Sequence, residues 1–309
     1  MKFVLIDVNG REYTVLNALS YEMIDGADAS CKGLRLYFGT DCELGEIVKV
    51  KAESNGSLVF NGCCDFQKES RVQSGFEYFI YARSLASVLI DNEAEPFEYK
   101  NPTAKQLFIN NARQFGFKCS LPDIFTKNSY IVSKGTSCFG AVNDFVFMMT
   151  GYPVYIDESG VMRIYREGKD AKHLDGFNII SQEHIISRSS VISRVDYKIN
   201  ASEGYKYHCT ADFADKNKIQ RSCRINLSGL PVWQREKAAE RKITASLGEY
   251  YSLKIKLSGV CDFCLFDRVQ TEKGSFFVSE IIYAKNEKGE TTTLVMKRRP
   301  EGKMINYVA

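Results

Sequence analysis

The chain has 309 residues, 44% hydrophobic and 26% charged, and its 41 Lys and Arg against 38 Asp and Glu leave a net charge of +3. That length allows roughly two or three domains with ordinary cores, and the near balance of charge is too mild to imply a nucleic-acid partner, whose specific binders usually show a concentrated basic face. No stretch reaches about 18 consecutive apolar residues, so no helical membrane span is expected; the apolar run in Met1–Asp7 is too short for a secretion signal and contains an acid, so the chain is expected to be made in the cytoplasm.

Residues 1–95 read as strands. Phe3 to Val8 and Glu12 to Val15 flank Asn9-Gly10, a hairpin signal because a type I′ turn needs positive φ at both central positions. Glu46 to Lys51 and Ser57 to Phe60 form a second such pair around Asn55-Gly56. In Gly75 to Ala82, Phe76, Tyr78 and Ile80 share one face while Phe79 and Tyr81 share the other. Aromatic residues on both faces point to a strand covered on both sides or one that meets another chain, which makes Phe76 and Tyr78 candidate interface residues.

From residue 96 the period changes. Asn101-Pro102 reads as a helix start, with Asn as N-cap and Pro at the first helical position; Leu107, Phe108, Ala112 and Phe115 follow at helical spacing, and Gly116 stops the run. A second helix is expected from Ser137 through Ala141, Phe145 and Met148 to Gly151. A hairpin then joins Val154–Ile156 to Val161–Tyr165. From 188 the pattern returns to strands at Val191–Ile199, Tyr205–Ala211, Lys218–Ile225, Phe276–Tyr283 and Thr291–Met296. One helix interrupts them, with Ala239, Ile243 and Leu247 on one face and Gly248 as expected C-cap. Trp233, just after Pro231, is read as a core anchor, with an interface role as the alternative. A weak internal echo links Val50–Glu53 and Gly56–Phe60 to Val269–Glu272 and Gly274–Val278.

Catalytic or metal-binding patterns are sparse. Ten cysteines are scattered along the chain, unlike a dense disulfide framework. Cys261 and Cys264 form a single CxxC without the second pair of a zinc ribbon, so half-buried thiols are the expected reading. His173, His184 and His208 form no HExxH, and no GxGxxG, Walker A or GxSxG occurs. Asp41, Glu43 and Glu46 lack the ladder of a calcium loop, and Lys297-Arg298-Arg299 reads as a solubilising end or a protein contact. No cofactor and no metal are expected.

The stretch Tyr81-Ala82-Arg83-Ser84 through Pro96 resembles the segment closing the first barrel of phage baseplate-hub proteins of the late-control-protein-D type, with Ala82 where that family usually has Gly. The helix ending in Phe115-Gly116-Phe117, the Ser137–Gly151 helix with its hairpin, and the closing strands around Gly259-Val260-Cys261 and Thr291–Met296 are similar to the same family. The resemblance implies an α+β, mostly β chain in which two small β-barrel domains, 1–95 and 188–309, flank a middle helical and β-hairpin domain, 96–187. It further implies a structural protein rather than an enzyme: a homotrimeric ring in the virion tail baseplate, assembled in the bacterial host cytoplasm. Such a ring would adapt a sixfold tail tube to a threefold central spike and would contact the tube or tube-initiator protein, the spike protein and other baseplate proteins. Phe76, Tyr78 and Trp233 are the expected protein-interface residues. The alternatives are a thiol- or metal-dependent enzyme built on the CxxC, and a β-rich tail protein that binds the host surface.

Overall fold

The computed structural model describes residues 1–165, 171–200, 202–228 and 230–298, together with the backbone of Met304–Val308. The chain is mostly β, with its longer helices in the middle part and after Pro231 and short ones at Ser87–Ile90 and Asp212–Lys216. Its N-terminal part begins with the expected hairpin, Lys2–Asp7 pairing antiparallel with Glu12–Val15, but the turn is not type I′: Gly10 alone is left-handed, at φ +79°, and its N–H donates to Asp7 O around Val8-Asn9. Strands Ser20–Gly26, Gly33–Thr40, Ile47–Ser54, Ser57–Val72 and Gly75–Ser84 follow. Alternate residues point to one face, so Phe3, Leu5, Leu34, Leu36, Phe38, Val50, Phe60, Tyr78 and Ile80 meet in a core where none is more than 1% exposed.

These strands belong to one large sheet that also takes in the C-terminal part. Its pairing runs from Ile179–Ile186 through Tyr251–Ser258, Gly289–Lys297 and Gly274–Asn286 to Ser20–Gly26. It continues through Gly33–Thr40, Gly75–Ser84, Ser57–Val72, Ile47–Ser54 and Lys2–Asp7 to Glu12–Val15. The C-terminal strands enclose a second core around Leu253, Ile255, Val269, Val278 and Leu294. Ile179–Ile186, inside the expected middle domain 96–187, pairs instead with Tyr251–Ser258 of the C-terminal part.

The middle part packs helix Ala104–Asn111 against helix Cys138–Thr150 in a third core. Asn101 is not the cap of the first helix. It sits at φ +49°, and Thr103 caps instead, its hydroxyl accepting the Gln106 N–H. Pro102 therefore precedes the helix and does not begin it. The second helix starts and stops as the sequence indicates: Ser137 Oγ accepts the Gly140 N–H at 3.0 Å and Gly151 closes it in the left-handed region. An N-cap hydroxyl contributes about 1 kcal/mol. Ser137→Ala is accordingly expected to lower stability by about that amount in denaturant unfolding, and an unchanged midpoint would show the cap to be idle.

A fourth core lies within residues 191–250. Strand Arg194–Lys198 is flanked by Ser222–Asn226 and Tyr207–Ala211, with Met304–Val308 at the outer edge. Helix Val232–Gly248 lays Ala239, Ile243 and Leu247 on it. Gly248 is the last helical residue and not a left-handed cap; Glu249 ends the helix in right-handed geometry.

Candidate assembly surface

The two β-rich parts match strand for strand. In chain order and in sheet order, Ser20–Gly26, Gly33–Thr40, Ile47–Ser54, Ser57–Val72 and Gly75–Ser84 correspond to Ile179–Ile186, Tyr251–Ser258, Arg268–Thr271, Gly274–Asn286 and Gly289–Lys297. The last hairpin fixes the register. Each copy has a two-residue turn, Gln73-Ser74 or Glu287-Lys288, followed by a glycine at φ +126° or +113°, and a bulge at Asp65 or Ser279 the same distance before that turn. Leu34, Leu36 and Phe38 then align with Leu253, Ile255 and Leu257, and all six are buried in their cores.

Val50 and Val269, the start of the sequence echo, are equivalent and both 0% exposed. The rest of the echo is out of step. Phe60 aligns with Gly274 and not with Val278, because the hairpin around Asn55-Gly56 is longer. The likeness ends beyond these strands: Lys2–Asp7 adds antiparallel to its neighbour, whereas Ala171–His173 adds parallel. Residues 187–250 occupy the place that residues 27–32 fill in the first copy.

The two units join edge to edge. Ser20–Gly26 pairs antiparallel with Gly274–Asn286, placing Ile24 opposite Ile282 and Met23 opposite Tyr283. Tyr21 donates its hydroxyl to Glu290 Oε1 at 2.8 Å, and the amino group of Met1 reaches the same oxygen at 3.0 Å. Beside this seam lies a charged cluster that ties in the middle part. Lys32 Nζ stands 3.2 Å from Asp25 Oδ2 and 2.5 Å from Glu158 Oε1, and the side chains are only 23%, 16% and 25% exposed. Burial disfavours the Lys32 ammonium, but Asp25 and Glu158 more than offset this, so Lys32 titrates above its ordinary value. Burial holds the Asp25 carboxyl above its ordinary value despite the pull of Lys32.

The expected interface residues separate. Phe76 is half-buried with the Arg71 guanidinium 5.9 Å from its ring centre. Tyr78 is 0% exposed, stacked on Phe38 at 5.6 Å, and its hydroxyl accepts the Leu44 N–H and donates to Glu69. Its ring belongs to the core and offers no surface to a partner. Trp233 is half-buried and engaged within the chain: it packs on the middle core and its Nε1–H donates to Ser129 O at 3.1 Å. Gln234 beside it hydrogen-bonds both the N–H and the C=O of Ile131, covering the edge of strand Tyr130–Val132.

On the opposite face of the same strand Phe79 and Tyr81 are half-buried, and Phe66 on the neighbouring strand is 52% exposed and 6.1 Å from Phe79. Every residue of strand Ile179–Ile186 is exposed. The sequence reading passed over it because Ile-Ile-Ser-Gln-Glu-His-Ile-Ile has neither strand nor helix period.

The candidate chemical groups are dispersed or engaged. All ten cysteines are free thiols; Cys261 is buried, and desolvation pushes its thiol up, away from the thiolate that metal binding or nucleophilic attack needs, while Cys264 is exposed. His184 lies between Gln182 and the Tyr251 hydroxyl. His173 and His208 lie on other strands. Asp41, Glu43 and Glu46 lie exposed, and among the described residues no group of three or more His, Cys, Asp or Glu is placed to hold a metal ion. Lys297 pairs with Asp28 at 2.7 Å and Glu249 at 2.5 Å, while Arg299 lies outside the described residues.

No protein-family model matches the chain, and no curated protein matches it. Solved structures do. The 43 kDa tail protein of prophage MuSo2 from Shewanella oneidensis is 14% identical, with a TM-score of 0.76 over 97% of this chain and 99% of that one. The tail protein from Neisseria meningitidis MC58 is 16% identical, with a TM-score of 0.74 over 96% of each chain. The E. coli c3393 protein, a type VI secretion component described as structurally similar to the T4 tail proteins gp27 and gp5, is 11% identical, with a TM-score of 0.55 over 92% of this chain and 76% of that one. The chain therefore has the fold of phage tail proteins, one shared by a secretion-system component.

Proposed function

We propose that the chain is a structural baseplate-hub protein of a contractile phage tail or phage-like particle, and that three copies form a ring adapting a sixfold tail tube to a threefold central spike. The observation that carries this reading is the internal duplication. A chain with two like β units joined side by side presents six units when it is repeated three times, yet retains only threefold symmetry elsewhere. In this reading the units centred on 1–95 and 188–309, the latter extended by strand Ile179–Ile186, face the tube or tube-initiator protein. The middle part, ahead of that strand, spaces them from the spike and other baseplate proteins. The fold likeness supports the reading because it runs nearly the full length of two tail proteins. The ring works as a scaffold without a cofactor.

Light scattering of the purified chain tests it. Three times 35.0 kDa, about 105 kDa, is the expected native mass. A particle that stays at 35.0 kDa at every concentration, with or without its spike, would contradict it.

A further inference from the structure

The duplication makes one junction inside the chain and leaves one open edge on each unit. Inside the chain, the Glu280–Lys285 edge of the second unit receives Ser20–Gly26 of the first. By the shared bulge and turn, the equivalent edge of the first unit is Phe66–Arg71. Pairing of its strand with Ile47–Ser54 stops at Cys63, so among the described residues no strand covers that edge. The strand equivalent to Ser20–Gly26 is Ile179–Ile186, which among the described residues is paired only on the side of Tyr251–Ser258. Its Ile179, Ile180, Ile185 and Ile186 are 43%, 54%, 42% and 61% exposed. A long apolar edge of this kind invites strand addition unless something covers it.

We infer that the two edges cover each other between copies: Gln182–Ile186 of one chain adds antiparallel to Gln67–Arg71 of a second copy, repeating the junction already present within the chain. The internal register specifies the partners. Ile24 opposite Ile282 becomes Ile185 opposite Lys68, Met23 opposite Tyr283 becomes His184 opposite Glu69, and Glu22 opposite Ala284 becomes Glu183 opposite Ser70. Glu183 then lies diagonal to Lys68 on the same face, a favourable charge pair. Phe66 falls beside Ser187. Main-chain hydrogen bonds supply the attachment, and Ile185 lies diagonal to Phe66 on the same face.

Each copy contributes one edge of each kind, so the contact is heterologous and either closes into a ring or continues as a filament. The number of copies rests on the hub reading; the pairing rests on the duplication. Placing p-benzoylphenylalanine at Phe66 in the full-length chain, irradiating, and mapping cross-linked peptides by mass spectrometry tests the pairing directly. The expected result is an intermolecular link to residues 185–188. Links confined to other segments, or no link between copies, would overturn it.

Ile185→Lys, at an exposed position, sets a lysine against Lys68 and is expected to abolish the assembled mass. Adding Lys68→Glu to the same chain is expected to restore it. An Ile185→Lys chain that assembles like the parent would also overturn the pairing. A trimer whose cross-links fall elsewhere removes the pairing and leaves the hub reading; links to 185–188 in an assembly of another size do the reverse.

Discussion

Lys32→Met is expected to destabilise the protein by about 3 kcal/mol, a large fraction of the stability of an ordinary domain. Methionine keeps most of the stem but removes the cation from between Asp25 and Glu158, whose carboxylates are 16% and 25% exposed. Two anions would then face each other at the meeting point of the first β unit and the Asp157–Gly160 turn, where Asn61 also hydrogen-bonds Glu158 O. Removing one partner from a mostly buried pair costs far more than the intact pair contributes, because the remaining charge stays desolvated.

The pH dependence has a definite sign. The Asp25 carboxyl is raised in the folded chain, and a carboxyl raised on folding favours the folded state below its unfolded pKa and loses that contribution as pH climbs through its raised value. Without Lys32 the shift grows. The variant should therefore be weakest near neutral pH and recover toward the parent as the solution is acidified through the raised Asp25 range. Calorimetric melting at several pH values checks both points; a variant that melts with the parent at neutral pH would remove the cluster from the account.

Gly62→Ala is expected to cost about 3 kcal/mol for a different reason. A β-carbon at this position would lie 2.1 Å from the Arg83 carbonyl oxygen and 2.7 Å from its carbon, with the Phe60 ring at 2.9 Å. Two of these atoms are backbone and cannot swing aside. Gly62 pairs with Val50 on one side and Ser84 on the other, just before the bulge at Asp65, so the strand cannot shift without opening the sheet. Gly56→Ala is the control. It meets nothing within 4 Å and pays only for its left-handed φ of +77°, about 1 kcal/mol. Equal losses in the two variants would show that close approach at Gly62 is not limiting.

What could be read from the sequence follows the range of the interactions. Local chemistry was legible: the Asn55-Gly56 turn, the Ser137 cap with Gly151, and the Ala239–Ile243–Leu247 stripe all lie where their residues indicate, while at Asn9-Gly10 the hairpin forms but only Gly10 is left-handed. Asn101 misled because an asparagine that suits a cap also suits a left-handed turn, and Thr103 lay close enough to take the cap. Tyr78 and Phe79 alternate identically in sequence, yet only pairing across the sheet decides which of them faces the core. The seam between Ser20–Gly26 and Gly274–Asn286 joins segments more than 200 residues apart, and no local pattern encodes such a partner. The duplication was half visible, in Val50 and Val269, and was blurred where the hairpin lengths differ. Strand Ile179–Ile186 left no periodic signal because neither of its faces is buried within the single chain.

The most direct test of the central claim is the symmetry of the purified protein in end-on electron-microscope class averages. The account predicts a closed ring of six lobes that superposes on itself after rotation by a third of a turn. Isolated two-lobed particles, or rings built from another number of chains, would contradict it.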